Sequence, residues 1–175
     1  MFIAQIETQL GTMIAGSVEE GICILEFSDK NNLEAELNKL KKYLKQEMTE
    51  GENDHIKNLH IQLDEYFAGT RKHFDIPLVM YGTEFQKKVW NELINIPYGA
   101  TISYQQQADA MQIPLSIRAV ANANGMNRIS IIIPCHRVIG SDGSLTGYAG
   151  GLHRKKWLLD HEKKYSGKPF NNSLF

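Results

Sequence analysis

The chain of 175 residues is long enough for one globular domain or for two small ones with a shared core. A formal net charge of −1 and two cysteines argue against a uniformly basic nucleic-acid-binding protein and exclude a disulfide framework. Because the sequence has neither a basic leader followed by an apolar segment nor an apolar run long enough to cross a bilayer, we expect a soluble, cytoplasmic protein with no membrane partner.

The N-terminal segment alternates between apolar and polar side chains, with turn residues between the alternating runs. This period of two is typical of β-strands that are buried on one face. We therefore predict three short antiparallel strands joined by hairpins, at residues 2–6, 12–15 and 22–27. Cys23 lies in the third strand, where packing in the sheet is its expected role.

The spacing of apolar residues becomes helical after the third strand. A stripe of leucines predicts a first helix whose lysines largely face solvent: Leu33, Leu37, Leu40 and Leu44. A second predicted helix runs from Ile56 to Phe67, and the polar residues 50–54 before it are predicted to form a loop. These elements predict an N-terminal domain over residues 1–80.

The remainder of the chain, residues 81–175, is predicted to be a second, helical domain. Capping-box patterns at residues 83–86 and 103–106 each mark the beginning of a helix. The second of these helices is short, and a tight turn joins it to a helix predicted over residues 116–124. This pair is a candidate helix-turn-helix. A final amphipathic helix is predicted over residues 153–164.

Charge is divided unevenly between the two halves. Residues 1–82 carry 8 basic and 14 acidic side chains, a net charge of −6, whereas residues 83–175 carry 11 and 6, a net charge of +5. A basic half beside an acidic one fits a nucleic-acid-binding domain next to a domain that avoids polyanions, although ordinary surface scatter also produces such splits.

The exposed face of the helix over residues 116–124 indicates which groove of a duplex it would enter. Arg118, Ala119, Asn122 and Ala123 are predicted to share this face, and all but the arginine are small. Small residues suit close approach to the minor groove, whereas a major-groove reader carries several long polar side chains. The alternative is that the alanines pack inside the domain and that Arg118 is a surface charge.

Cys135 stands between a proline and two residues that can carry positive charge, His136 and Arg137. An adjacent imidazole or guanidinium favours the thiolate, so this cysteine is a candidate nucleophile. Inert core packing is the alternative, because free cysteine is among the most buried residue types. A carboxylate that orients His136 would complete a catalytic relay, and Asp160 and Glu162 are both candidates for it.

The glycine-rich residues 140–151 follow this cysteine and are predicted to form one wall of a pocket, because glycines let the backbone bend closely around a ligand. They contain no phosphate-binding motif. His55, His60 and His73, taken with Cys23, have no paired-ligand spacing, so no metal site is predicted.

One stretch of sequence resembles the active-site region of the O6-alkylguanine-DNA alkyltransferases: Pro134-Cys135-His136-Arg137-Val138-Ile139, then Gly140-Ser141-Asp142-Gly143 and Gly147-Tyr148-Ala149-Gly150-Gly151. The resemblance extends over about residues 83–162, and residues 21–22 and 63–69 match the N-terminal half of that family more loosely. It implies an α+β fold, in which a ribonuclease-H-like antiparallel sheet with helices precedes a winged-helix-like domain with a helix-turn-helix.

The resemblance also implies catalytic roles. Cys135 would accept the alkyl group, His136 would be the base that reaches the thiol through a water, and Glu162 would orient the imidazole. Asn127 would hold the turn before the acceptor. Tyr148 would donate a hydrogen bond to the guanine base.

Two further sets of residues are expected to contact DNA, and Tyr104 and Arg118 among them match DNA-contacting positions of this family. The set that would bind the duplex is Tyr104, Arg118, Ala119, Asn122 and Ala123. The set that would form the pocket for the flipped base is Val138, Ala149 and Gly150, with backbone contacts from Val138 and Ala149. Tyr104 would rotate a backbone phosphate, and Arg118 would replace the extruded base in the stack.

The implied function is direct repair of double-stranded DNA by irreversible transfer of the alkyl group of O6-alkylguanine, and of O4-alkylthymine, to the acceptor thiol. Each molecule would act once, as a monomer, with no cofactor and no metal. Two other classes stay open. One is a regulator that binds DNA without using the cysteine, and the other is a hydrolase or redox enzyme built on Cys135 and His136.

The sequence departs from the family pattern at a few positions. Arg128 and Ser130 stand where prolines are common, and Met126 precedes Asn127 where an arginine or glycine is common. Gln107 occupies a place where an apolar helix residue is usual. The expected effects are a looser acceptor loop or an added phosphate contact, and altered helix packing.

Overall fold

The computed structural model describes residues 1–167, and its N-terminal half is built on a four-stranded sheet. Three antiparallel strands occupy the predicted places: β1 (Phe2–Thr8), β2 (Gly11–Val18) and β3 (Gly21–Phe27). A short strand, β4 (Thr49–Glu50), pairs with β1 in parallel and gives the order β3-β2-β1-β4. The loop predicted from residue 50 onward is therefore wrong at Glu50, because a two-residue strand shows no period in the sequence.

Two helices follow β3, as predicted. In α1 (Leu33–Leu44), only Leu40 of the leucine stripe is fully buried. Helix α2 (Asp54–Phe67) begins after Asn53, whose side chain accepts a hydrogen bond from the amide of Ile56 and so satisfies one free donor of the first turn. The buried face of α2 packs against the sheet and contributes Ile56, Leu59, Leu63, Tyr66 and Phe67 to the main core.

The second half contains four helices. These are α3 (Glu84–Ile94), α4 (Tyr104–Ala110), α5 (Ile117–Gly125) and α6 (Leu152–Tyr165). Both predicted capping boxes are confirmed: Thr83 caps α3 with Gln86, and Ser103 caps α4 with Gln106. The α+β prediction, a sheet with helices followed by a helical part, is confirmed. Residues 168–175 of the predicted second domain lie outside the described residues.

A small parallel sheet of the second half was not predicted. Strand β5 (Ile102–Ser103) pairs with β6 (Val138–Ile139), which directly follows a 3-10 helix at Cys135–Arg137. This pairing fixes the beginning of α4 beside the segment that carries the cysteine. Each strand has two residues, too few for a strand pattern in the sequence.

The two halves share one hydrophobic core. Strand β3 is the edge strand of the sheet, and two segments pair with it beyond β2: residues 77–79 through a bridge at Ile22, and residues 128–130 through a bridge at Leu25. The indole nitrogen of Trp90 donates to the carbonyl of Ala123 at 2.8 Å and joins α3 to α5. Over residues 1–167, we find no helix with the length and hydropathy needed to cross a membrane.

Candidate active site

One amide side chain organises the turn that precedes Cys135. Oδ1 of Asn127 accepts a hydrogen bond from the amide of Ile129 at 2.9 Å, and Nδ2 donates to the carbonyl of Ile133 at 2.9 Å. Nδ2 also lies 3.3 Å from Sγ of Cys135. Asn127 therefore both closes the turn and contacts the thiol.

Ile131 lies in this turn with a φ of 72°. A β-branched residue in the left-handed region carries strain of about 1–3 kcal/mol and persists only where its surroundings hold it. Here strand β3 does so: Leu25 donates to the carbonyl of Arg128 and accepts from the amide of Ser130, both at 2.8 Å. The turn is thus fixed by a strand of the other half.

Glu162, on α6, is the centre of a buried network that includes His136. Its Oε1 lies 2.8 Å from Nε2 of His136, and its two oxygens accept hydrogen bonds from Nε and Nη2 of Arg137 at 2.9 and 3.0 Å. The Tyr66 hydroxyl donates to it at 2.9 Å, and the Gly99 amide at 3.0 Å. The carboxylate accepts from five donor atoms, which belong to four residues in three segments of the chain.

The charge states in this network follow from burial and pairing. Burial alone would raise the pKa of Glu162, but the hydrogen bond from His136, together with the charge and hydrogen bonds of Arg137, lowers it below its usual range. At His136, burial outweighs the attraction of Glu162 and lowers the pKa, so the imidazole is neutral at physiological pH. Asp160, the other candidate carboxylate, pairs instead with Lys156 on the surface, at 2.9 Å.

The neutral imidazole has one free acceptor. When Nε2 donates to Glu162, the ring lone pair is on Nδ1. This nitrogen is buried and has no hydrogen-bond partner among residues 1–167. His136 is therefore arranged to receive a proton at Nδ1 while Glu162 stabilises the resulting imidazolium.

The thiol of Cys135 is protonated in the free protein. The residue is 8% exposed, and burial raises the pKa of the thiol to about 11 against the lowering effects of Asn127 and Lys155. The expectation that His136 and Arg137 favour the thiolate is wrong for this state. His136 is neutral, and the guanidinium charge of Arg137 is paired with Glu162. For this thiol to act as a nucleophile, its proton has to be removed first.

Lys155 is a residue of the site that the sequence analysis missed. Its buried Nζ donates to the carbonyls of Val138, Thr146 and Gly147, at 2.6, 2.8 and 3.2 Å. Burial lowers its pKa to about 8. The ammonium ties the glycine-rich loop to β6. Its neighbour Lys156 is exposed, and nothing in the sequence distinguishes the two lysines.

A cavity of about 380 Å³ has Cys135 in its wall. Its other lining residues come from α4, α5 and the glycine-rich loop: Tyr104, Ile117, Arg118, Ala121, Asn124, Gly125, Thr146, Gly147, Tyr148 and Ala149. The loop thus forms a wall, and it contributes the predicted pocket residues Tyr148 and Ala149. Val138 and Gly150 lie behind this lining, where the carbonyl of Val138 accepts from Lys155.

Helix α5 presents three of its four predicted contact residues to solvent. Arg118, Ala119 and Asn122 are exposed, whereas Ala123 is 2% exposed. The prediction that Ala123 shares the exposed face is wrong, because five positions along a helix place it about 140° around the axis from Arg118. The hydroxyl of Tyr104 donates to the carbonyl of Thr146 at 3.0 Å, which joins α4 to the loop.

Two departures from the family pattern have clear structural partners. Nη1 of Arg128 donates to the carbonyl of Tyr81 at 3.0 Å, and its guanidinium lies over the Tyr81 ring, so this side chain packs against residues before α3. Gln107 is fully buried, and its side chain exchanges hydrogen bonds of 2.7 and 3.3 Å with that of Asn124. The amide at this apolar position is therefore satisfied.

No group of three or more His, Cys, Asp and Glu side chains over residues 1–167 is arranged to hold a metal ion. Both cysteines are free, and Cys23 is buried in β3 with its pKa raised to about 12 by burial. The chemistry of the site therefore centres on one buried thiol, one neutral imidazole and the adjoining cavity.

Comparison with known proteins places this arrangement in a family. Two family models, described as the ribonuclease-like domain and the DNA binding domain of 6-O-methylguanine DNA methyltransferase, match residues 1–80 and 84–164. This chain belongs to the 6-O-methylguanine DNA methyltransferase family, as its resemblance predicted.

Relatives and solved structures agree with this assignment. The chain is 42% identical to a methylated-DNA–protein-cysteine methyltransferase of Methanosarcina acetivorans over 163 residues, 93% of this chain and 98% of the relative. It is 53% identical to that of Mycobacterium bovis over 114 residues, 65% and 68% of the two chains. The structure of Mycobacterium tuberculosis OGT in complex with DNA matches with a TM-score of 0.82 and 36% identity over 94% of each chain.

Proposed function

We propose that this protein repairs DNA by moving the alkyl group of O6-alkylguanine irreversibly to Cys135. The observation that carries the proposal is the buried Cys135 thiol, which opens into the cavity and contacts Asn127. The next residue in the chain, His136, is neutral and is hydrogen-bonded to Glu162. The protein would act as a methylated-DNA–protein-cysteine methyltransferase that is consumed by its own reaction.

The chemical step balances without an oxidant or a reductant. The thiol of Cys135 loses its proton, through a water, to Nδ1 of His136, and Glu162 stabilises the imidazolium. A sulfur lone pair forms the bond to the alkyl carbon as the carbon–O6 bond breaks, and that electron pair goes to the base. Donation from Tyr148 stabilises the developing charge, and the base leaves as guanine after regaining one proton. The thioether product has no route back to a thiol.

The reacting atom of an alkylated guanine is hidden inside a duplex, so the nucleotide has to be flipped into the cavity. Helices α4 and α5 would act as a helix-turn-helix in the minor groove, since Ala119 and Asn122 are small and exposed. Arg118 is exposed and borders the cavity, which suits a side chain that fills the space left by the flipped base. Tyr104, also at the cavity, would contact the adjacent phosphate.

The proposal extends to a second substrate, to the oligomeric state and to the location of the protein. We infer action on O4-alkylthymine as well, because the same attack on an alkyl carbon would release thymine. We also infer a monomer that binds one lesion, and a cytoplasmic location, since a reactive thiol persists in a reducing compartment. The two proposed domains meet near residue 80.

The testing experiment is the intact mass of the protein after mixing with an equimolar duplex that carries one O6-methylguanine. We expect one methyl group to replace the thiol hydrogen, a net mass gain of one CH2 that maps to Cys135 and is absent in Cys135→Ser. Unchanged mass with retained duplex binding would instead favour a non-catalytic DNA-binding regulator. Repeated turnover of a substrate without DNA would favour a hydrolase.

A further inference from the structure

Two amide side chains are buried side by side between α4 and the end of α5. Gln107 is fully buried, and Asn124 is 5% exposed. Nδ2 of Asn124 donates to Oε1 of Gln107 at 2.7 Å, and Nε2 of Gln107 donates back to Oδ1 of Asn124 at 3.3 Å. Burial of amides carries a desolvation cost, so a pair that served packing alone would gain little over two apolar side chains of the same shape.

The carbonyl of Val89, on α3, fixes which way both amides face. Nε2 of Gln107 also donates to this carbonyl, at 3.3 Å. Because a carbonyl only accepts hydrogen bonds, the nitrogen of Gln107 has to lie beside it, and Oε1 is then left for Nδ2 of Asn124. An asparagine amide has two N–H groups and two lone pairs on its oxygen, and the pairing with Gln107 uses one of each. Among residues 1–167, one N–H group and one lone pair of Asn124 therefore remain.

Asn124 lines the cavity near the acceptor sulfur, where the alkyl group of a substrate has to lie. The amide of Asn127 donates to the carbonyl of Asn124 at 3.2 Å, and Nδ2 of Asn127 lies 3.3 Å from Sγ of Cys135. Gly125 lines the cavity as well, and a Cβ built on it would meet nothing within 4 Å. Open space therefore lies next to the Asn124 side chain.

We propose that Asn124 is a specificity-determining residue that selects alkyl groups with a hydroxyl group on their second carbon. The inference deepens the proposed function and rests on it, since the first alkyl carbon has to meet Sγ of Cys135. A hydroxyl one carbon further on would extend into the open space, where it can donate to Oδ1 of Asn124 or accept from Nδ2. Transfer forms the sulfur–carbon bond and breaks the carbon–O6 bond as before, and the hydroxyl group is unchanged.

The size of the effect follows from the loss of one hydrogen bond. A pocket that binds a hydroxyl group through a buried polar group discriminates against an analogue that lacks it, because the polar group is then left unpaired. The matching analogue here carries a propyl group, in which a terminal methyl replaces the hydroxyl of a 2-hydroxyethyl group. The two alkyl groups have the same length, so their comparison isolates the hydrogen bond.

The test uses the same duplex with O6-(2-hydroxyethyl)guanine, O6-propylguanine or O6-methylguanine, and follows adduct formation at Cys135 by intact mass. Gln107→Leu/Asn124→Leu removes both amides and so leaves neither of them as a buried unpaired group. We expect the ratio of the hydroxyethyl rate to the propyl rate to fall about fivefold in this variant. Effects on base flipping and the intrinsic reactivities of the two alkyl groups cancel when this ratio is compared with that of the wild type.

Gln105→Leu is the matched control, because it makes the same change on α4 outside the lining of the cavity, and it should keep the wild-type ratio. An unchanged ratio in the double variant, including an equal loss of rate on all three duplexes, would overturn the role of Asn124. If the double leucine variant does not fold, Gln107→Leu/Asn124→Ala decides the question, because alanine adds no bulk beside the cavity. Failure of the proposed function would be distinct, since the wild type would then form no adduct with any of the three duplexes.

Discussion

The hydroxyl of Tyr66, on α2, donates a 2.9 Å hydrogen bond to the same Glu162 oxygen that lies 2.8 Å from Nε2 of His136. A side chain of the N-terminal half thereby fixes the carboxylate that orients the proposed base. Tyr66→Phe removes one donor but leaves the ring and its packing. We expect a loss of about 1 kcal/mol in the free energy of unfolding and a slower transfer rate, measured by urea denaturation and by benzylation of Cys135. An unchanged rate would show that Glu162 needs no support from α2.

Glu162→Gln tests the network more severely. It removes the buried charge that pairs with Arg137, and an unpaired buried cation typically costs about 3–5 kcal/mol. We expect a variant of markedly lower stability that transfers alkyl groups slowly, because a glutamine cannot stabilise the imidazolium of His136. Urea denaturation and the rate with O6-benzylguanine measure the two effects. Wild-type stability together with slow transfer would contradict the structural part of this prediction.

The pH dependence of stability has a definite sign at Glu162. Its pKa is lower in the folded protein than in the unfolded chain, so its contribution is complete above an unfolded pKa of about 4.3 and is lost as pH falls toward the folded value. The difference in unfolding free energy between the wild type and Glu162→Gln should therefore shrink below about pH 4.3. A constant difference down to pH 3 would contradict a depressed pKa at this carboxylate.

The thiol of Cys135 offers a second pH test. Because its pKa is raised to about 11, only a small fraction is ionised near neutrality. We expect its alkylation by iodoacetamide, in a Cys23→Ser background, to rise about tenfold per pH unit from pH 7 to 10. Transfer from O6-benzylguanine should rise less steeply, since His136 takes the proton in that reaction. A plateau of iodoacetamide alkylation near pH 7 would show an ionised thiol in the free protein.

Arg118→Ala distinguishes the flipping of a base out of the duplex from the transfer of the alkyl group. Arg118 is exposed at the border of the cavity. In the proposed mechanism it takes no part in the transfer to Cys135 and acts only when a base is extruded from the duplex. We expect repair of O6-methylguanine in a duplex to fall by about 10²-fold, with transfer from free O6-benzylguanine within about twofold of the wild type. Lys163→Ala on α6 serves as a charge-matched control. Equal losses on duplex and free base would remove the base-flipping role.

Lys155→Met tests the tie between the glycine-rich loop and β6. The change keeps an unbranched side chain but leaves three carbonyls without their shared donor, which we expect to cost about 2–4 kcal/mol. Limited proteolysis should then cut within residues 140–151 faster than in the wild type. Matched cleavage rates would show that the loop is held by other contacts.

Strong local signals made much of the fold predictable. Residues close together in sequence predict the three alternating strands, the capping boxes at Thr83 and Ser103, and helix α2. The position of Cys135 in the wall of a cavity also agrees with the prediction made from its neighbours, and its role as the acceptor stays a prediction. The features that the sequence did not predict depend on residues far apart in the chain. Examples are the pairing of β4 with β1 and the hydrogen bond from Lys155 to Val138 of β6.

The site shows the same division. The sequence left Asp160 and Glu162 open, and only the packing of α6 against the 3-10 helix decides between them. Adjacency suggested that Arg137 activates the thiol, but adjacent side chains point in different directions, and Arg137 faces Glu162. Burial then reverses the expected shift of the pKa of Cys135. Direction and burial are properties of the folded chain.

The left-handed Ile131, held in place by the bonds between Leu25 and residues 128–130, has a consequence for biosynthesis. During synthesis β3 leaves the ribosome well before the turn at residues 127–133. Until that turn is synthesised, the backbone groups of Leu25 that it will pair with have no partner there. Only their meeting brings the thiol into register with its base. An unfinished chain would carry the cysteine without the cavity and the adjoining imidazole, so the proposed transfer requires a fully assembled molecule.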